Sequence, residues 1–287
     1  MSARAKSQQG IGYAEITYGV ADRIATITLN RPEARNGYTV RMADEIADAL
    51  GSANADRDVR VVVLTGAGEA FCVGADLTGG GFAPADVEDW VEPATRVCRP
   101  MFWLDKPVIA AVRGAAVGVG STMLLPADYR LAATDSRFGF VFSRRGIFPE
   151  GGSTWFLPRI VGLGRALDWM ISGRLIPADE ALAAGLVHAV HEPADVLPKA
   201  YELARSLIET TAPVSTAVIR QTLFRMSGHD SPEPAFRLDS QLIAGLGTSA
   251  DAVEGVVSFF EKRPPQFPGV VPDDVPEFLP WRTEPLR

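Results

Sequence analysis

A chain of 287 residues with 47% hydrophobic and 22% charged residues has the balance of an ordinary globular protein, in one large domain or two. Its formal net charge of −7 argues against a nucleic-acid partner, and no apolar run reaches the length of a membrane span. Two cysteines (Cys72, Cys98) give neither a disulfide framework nor a metal spacing, and the start of the chain is polar rather than signal-like, so a cytoplasmic protein without a metal is expected.

Ile11 to Tyr18 and Ile24 to Leu29 alternate apolar and polar residues, which predicts a half-buried hairpin. Thr39 to Asn54 sets Met42, Ile46 and Leu50 on one helical stripe. Val61 to Leu64 is a continuous apolar run, typical of a strand buried on both faces. Gly79-Gly80-Gly81 is expected to be mobile. Ala85 to Leu104 reads as a helix that Pro93 and Pro100 should break or kink. Strand, helix and short strand then recur through Phe140, an α/β pattern. From Ser153 the strands fade. Short helices are predicted at Trp155 to Ile160, Ala166 to Ile171 and Ala178 to Ala184, and His188 and His191 flank a short strand as surface residues. Longer helices follow near Ala194 to Glu209, Val214 to Met226, Pro234 to Leu246 and Ala250 to Arg263. The proline-rich tail from Gln266 to Arg287 is unsuited to regular structure and should be disordered or laid over a neighbouring surface.

Two runs look built to hold one carbonyl oxygen: Phe71-Cys72-Val73-Gly74-Ala75-Asp76-Leu77, and Val112 to Ser121 with Gly114, Gly118 and Gly120. Each follows a strand-like stretch, and the second leads into a helix. Glycine lets the backbone turn sharply and approach a ligand closely. Free N–H groups at such turns attract negative charge, and two that converge make an oxyanion hole. Either run alone also fits a packing turn after a buried strand. Together, in this order, they are specific.

With these runs the chain resembles the crotonase superfamily, the enoyl-CoA hydratases and isomerases, from about Tyr13 to Phe267. Leu29-Asn30-Arg31-Pro32-Glu33-Ala34-Arg35-Asn36, Leu157 to Gly162, Asp251 to Gly255 and Phe259 to Pro264 carry the match further. The resemblance implies an α/β fold: a ββα spiral core over residues 11–210, a C-terminal α-helical oligomerisation region over 211–265, and the tail, 266–287. It implies an acyl-CoA thioester substrate, coenzyme A entering only as part of that substrate, and a homo-trimer or hexamer. Carried over by position, the two oxyanion donors are the backbone N–H groups of Ala75 and Val119. Relatives usually have glycine at the second, but a backbone donor needs no particular side chain. Ala34, Arg35, Ala75, Asp76 and Leu77 fall beside the coenzyme A moiety, and Phe259 and Lys262 near its adenine end, often from a neighbouring subunit. A chain of net charge −7 must meet phosphates with a local cluster of cations, for which Arg31, Arg35 and Lys262 are the candidates. Trp90, Met101, Phe102 and Trp103 lie where relatives line the acyl pocket. Asp76 is expected to fix its loop by hydrogen bonds and Asp128 to end a helix beside a strand, neither with a chemical role.

Hydration of a double bond needs two acid/base groups. The family's hydratases use two glutamates, whose positions fall here on Thr122 and Phe142, and neither residue titrates in a useful range. A carboxylate does occur in Gly146-Ile147-Phe148-Pro149-Glu150-Gly151-Gly152-Ser153-Thr154-Trp155. This run is similar to that of the Δ3,Δ2-enoyl-CoA isomerases, including the ring-opening type of aromatic degradation, which need only one base. Phe140, Phe142, Phe148 and Trp155 are expected to desolvate Glu150 and raise its pKa. A structural reading competes: Glu150 as a charge at a helix start, with Ser153 as the cap. Three functions stay open: a one-base enoyl-CoA isomerase, which leads; another crotonase reaction, hydratase included; and a non-catalytic acyl-CoA-binding scaffold.

Overall fold

A computed structural model describes residues 12–79 and 90–283. Strands β1 (Ile16–Ala21) and β2 (Ile24–Leu29) form the expected hairpin. Asp22 and Arg23 turn between them at positive φ, as a two-residue loop between twisted strands requires. Helix α1 (Val40–Ala55) follows, capped by Thr39, whose hydroxyl accepts from the Met42 N–H. Next come β3 (Val61–Gly66), α2 (Pro93–Trp103), β4 (Val108–Val112), the short β5 (Ala115–Val117) and one helical turn, α3 (Val119–Thr122). Strands β6 (Tyr129–Ala133) and β7 (Arg137–Gly139) lead to helices α4 (Ser153–Val161) and α5 (Leu163–Ser172). Strand β8 (Leu175–Pro177), α6 (Ala178–Ala183) and β9 (Ala189–His191) close the sheets. The C-terminal part holds α7 (Val196–Thr210), α8 (Pro213–Met226), α9 (Glu233–Leu246), α10 (Ala250–Glu261) and a last turn, α11 (Pro280–Thr283).

The main sheet runs β1-β2-β3-β4-β6-β9 and is parallel from β2 onward; β5-β7-β8 form a second, smaller sheet. Period-two alternation divides β3 between two cores. Val62 and Leu64 join α1 and α2 on one face, while Val61 and Val63 join Val196, Ala200 and Ala204 of α7 on the other. That is why the run is apolar throughout.

Residues 85–89 of the expected helix lie outside the described residues, and the described helix begins at Pro93. Proline fits the first helical position, where no N–H is needed, so Pro93 starts the helix and Glu92 caps it. Pro100 stays inside α2. Of the glycine run, Gly80 and Gly81 lie outside the described residues. Val271, Val275 and Leu279 are buried against Val214, Ala217, Val218 and Leu238, so the described part of the tail lies over the chain's own helices α8 and α9. Among the described residues no single helix is long and apolar enough to cross a membrane.

Asp128 has a different role from helix termination. It accepts from the Val108 N–H at 2.7 Å and from Nε of Arg220 through both oxygens, at 2.9 and 2.8 Å. Arg220, 6% exposed, also donates to the carbonyls of Met101, Phe102 and Leu104 at the end of α2. One guanidinium thus joins α8, α2 and the sheet. Replacing it leaves the partly buried Asp128 without its counter-ion and three carbonyls of the α2 end without a donor. We expect Arg220→Met to lower stability by about 1–3 kcal/mol, the scale for leaving desolvated hydrogen-bonding groups without their partner, in urea titrations of the pure protein.

Candidate active site

The parallel order brings the ends of β3 and β4 side by side, and the two glycine runs leave from those ends. Phe71 N–H donates to Arg113 O at 2.8 Å, Cys72 N–H to Ala115 O at 3.0 Å, and Val117 N–H to Cys72 O at 2.9 Å. Beyond this pairing both chains turn, at Gly74 (φ 104°) and Gly118 (φ 56°). A Cβ on Gly118 would lie 3.7 Å from the Gly74 Cα, so the turns touch.

The residue after each turn is the expected donor. Tyr38 N–H donates to Gly74 O and accepts, through its carbonyl, from Asp76 N–H, each at 2.8 Å. In such a bridge the intervening Ala75 N–H faces away from Tyr38. Val119 opens α3, where the first N–H groups have no intrahelical acceptor. Among the described residues neither N–H donates to a protein group. The Val119 side chain is packed in the main core.

Glu150 stands beside this pair through Thr122, the last residue of α3. The buried Thr122 hydroxyl donates to Glu150 Oε1 at 3.0 Å. Burial pushes the Glu150 carboxyl up to about 7; the Thr122 hydrogen bond opposes the shift, and the charge of Glu92 adds to it. The aromatic account of that burial needs revision. Phe140 and Phe142 are core residues, but Phe148 is 89% exposed. The groups that couple electrostatically to Glu150 include Cys72, Cys98 and Tyr38. Burial raises both thiols, Cys72 to about 12, so neither is a thiolate nucleophile.

The cap reading does not match the geometry. Gly152, not Ser153, stands at the N-cap of α4, and the Ser153 hydroxyl is buried without a partner. Gly151 and Gly152 turn at φ 62° and 68°, and the Glu150 side chain faces Thr122 instead of the helix start.

Sequence reasoning missed Glu92. Its carboxylate accepts from the N–H groups of Ala94 (2.6 Å) and Thr95 (2.8 Å), from the Thr95 hydroxyl, and from Gly151 N–H at 2.8 Å. It therefore caps α2 and pins the residue that follows Glu150. The Glu92-Pro93 pair was the available signal, an N-cap acceptor before a first-turn proline.

Ala34, Arg35, Ala75, Asp76 and Leu77 come together, since Asp76 N–H bonds to Tyr38 O and a Cβ on Gly37 would lie 3.6 Å from Asp76 Cβ. Asp76 holds its loop as expected. Hydrogen bonds from Thr78, then Arg31, bring its carboxyl down to about 2. Arg31 is committed to Asp76 at 2.9 Å and Glu15 at 3.6 Å, whereas Arg35 is exposed. Phe259 and Lys262 lie at the exposed end of α10, and among the described residues neither has a hydrogen bond or ion pair to this group. Of the acyl-pocket candidates, Phe102 and Trp103 line a cavity of about 310 Å³ with Gly151, Trp155 and Phe156. Met101 instead points into the core, and Trp90 is exposed outside the cavity.

A close backbone approach at the second turn suggests a test. A Cβ on Gly120 would lie 2.3 Å from the Cys72 carbonyl oxygen, so Gly120→Ala must push α3 away from the first turn. We expect the variant to fold yet lose affinity for an acyl-CoA thioester by about tenfold or more, read by calorimetry, because one of two oxyanion donors moves out of line.

The chain matches the family described as Enoyl-CoA hydratase/isomerase over residues 19–270. It is 39% identical over 249 residues, 86% of this chain and 83% of the relative, to enoyl-CoA hydratase ACTT3 of Alternaria alternata. It is 34% identical over 254 residues, 86% of this chain and 95% of the relative, to 1,2-epoxyphenylacetyl-CoA isomerase of Escherichia coli (strain K12). A crystal structure of a probable enoyl-CoA hydratase/isomerase from Mycobacterium abscessus superposes with a TM-score of 0.82 at 34% identity, covering 89% of this chain and 99% of that one. With its paired turns, their two free N–H groups and the carboxylate beside them, the chain belongs to the enoyl-CoA hydratase/isomerase family.

Proposed function

We propose that this protein shifts a double bond in a coenzyme A thioester, from the 3-enoyl to the 2-enoyl isomer, with Glu150 as its only base. Coenzyme A enters as part of the substrate, and no other cofactor is needed. Glu150 takes a proton from C2. Electrons move into the thioester carbonyl, whose oxygen accepts from Ala75 and Val119 N–H. The enolate then collapses to the conjugated alkene as Glu150 returns the proton at C4. One observation supports this reading above the others. The site holds two carboxylates, but Glu92 is occupied by four donors while Glu150 has one and titrates at about 7. Glu150 is thereby poised to take up and release a proton near neutrality.

Hydration of a 2-enoyl thioester is the second reading, favoured by the name of the Alternaria relative and by Glu92 lying close enough to influence Glu150. Glu92 would then have to give up a donor to handle a proton. Ultraviolet absorbance of the conjugated thioester separates the readings. A rise from a 3-enoyl-CoA supports isomerisation, a fall from a 2-enoyl-CoA supports hydration, and no change with either supports a scaffold.

Glu150→Gln keeps the Thr122 hydrogen bond and removes the base. Isomerisation should fall by ~10²–10⁴-fold, and the wild-type kcat/KM should rise with pH through about 7 as the carboxyl ionises. Stability should move the other way. A carboxyl with a raised folded-state pKa binds more protons folded than unfolded, so its contribution is intact below the ordinary value and is lost as pH rises through about 7. The Gln variant escapes that loss. Its Tm should therefore exceed the wild type's above neutrality, by an equivalent of at most about 3 kcal/mol. Full turnover in the variant would show that Glu150 is structural.

The same reading includes assembly. Phe259 and Phe260 are exposed on α10, as are Val253, Val256 and Val257, more apolar surface than one helix normally leaves in water. A trimer or hexamer should be found by light scattering at micromolar concentration; a monomer would refute it.

A further inference from the structure

The cavity beside Glu150 is bordered by a charge that the proton shuttle does not use. Its walls are aromatic and mutually fixed, for Phe102 meets Trp155 and Phe156 edge-on at 6.0 and 5.8 Å. At about 310 Å³ it is near the lower end of small-molecule sites, and locked rings give it little freedom to adapt. Gly151, next to the base, lines it. So does Arg99, one helical turn before Phe102 and Trp103 on the same face of α2.

Arg99 differs from the other arginines nearby. Arg96 is paired with Asp44 at 2.9 Å, Arg159 lies over Trp155 at 4.0 Å, and Arg225 over Trp103 at 3.9 Å. Arg99 is exposed, at the open side of the cavity, and among the described residues it makes no hydrogen bond, ion pair or ring contact. In an empty cavity water serves the guanidinium. When an acyl group displaces that water, the guanidinium loses acceptors that an apolar chain end cannot replace. A carboxylate can, through two parallel hydrogen bonds.

We propose that the acyl group bound here carries a second, distal carboxylate, and that Arg99 selects for it. The proposal rests on the acyl-CoA reading above and names its substrate class: short dicarboxylic or carboxylated cyclic acyl thioesters.

The test compares 3-hexenoyl-CoA with 3-hexenedioyl-CoA, matched in length and differing in the terminal carboxylate. The wild type should favour the second in kcat/KM by about tenfold or more, as expected for hydrogen bonds to a charged group. In Arg99→Gln that ratio should fall toward one, and in Arg99→Lys, which cannot pair through two bonds, it should lie between. A wild-type preference for the neutral substrate, or an unchanged ratio in Arg99→Gln, overturns the proposal. Equal weakening of both substrates and of free coenzyme A also overturns it, because Arg99 would then serve the nucleotide phosphates. Calorimetry with hexanoyl-CoA and adipoyl-CoA, which do not react, reads the same ratio without turnover. The reaction assigned above can thus fail while the role of Arg99 is still decided.

Discussion

The carbonyl of Cys72 faces a position where only glycine fits. With Gly120 against it, α3 starts in contact with the segment that leaves β3. Three consequences follow from that contact. Val119 N–H is brought to the turn that carries Ala75 N–H. Thr122 is set one helical turn further along, with its hydroxyl toward Glu150. Glu150 is thereby tied to the same piece of backbone that carries the Val119 N–H. The two N–H groups and the Glu150 carboxyl share one rigid reference, and the parallel order of β3 and β4 places that reference at the carboxyl ends of the strands.

The two carboxylates of the site show how environment divides roles between like groups. Glu92 accepts three backbone N–H groups and a hydroxyl, and these stabilise its charge in place. Glu150 accepts one hydroxyl and is largely removed from water, which favours its neutral form. The charge of Glu92 pushes the same way. The hydrogen-bonded Glu92 carboxylate thus tunes the second group through its charge. Because Glu92 also holds Gly151, the anion that tunes Glu150 helps to position it.

Much of this was legible in the chain. Period-two patterns gave the hairpin and the doubly buried β3, helical stripes gave α1 and the long C-terminal helices, and the glycine runs gave both turns. Glu150 stood out because Thr122 and Phe142 removed its rivals. What escaped depended on partners far apart in sequence. Asp128 meets Arg220, and Glu92 meets Gly151; no local pattern announces either pair. Pro93 was read as a breaker because its effect depends on where the helix begins. Phe148 was counted among desolvating rings because composition cannot say which way a loop residue turns. The tail looked irregular, and its buried Val271, Val275 and Leu279 became meaningful only against α8 and α9.

An acidic chain that handles a polyanion must concentrate its cations. Arg31 contributes little to that, since Asp76 and Glu15 already balance its charge. Its work is internal: it bonds the Gly37 carbonyl and Asp76, and so joins the Pro32–Ala34 turn to the loop after Ala75. Arg35 is different. It is exposed at positive φ next to the buried Asn36, whose side chain bonds Arg31 N–H and the carbonyls of Ala67 and Ala70. Arg35 is therefore held at the base and, among the described residues, unpaired at the tip, as the proposed contact with a phosphate would require. One such group is a small counterweight to coenzyme A. Lys262, the other candidate, sits at the end of α10 in the C-terminal helices, beside the exposed Phe259. In the proposed assembly the apolar face of α10 supplies the contact area, and Lys262 supplies charge to a nucleotide that one chain alone neutralises poorly.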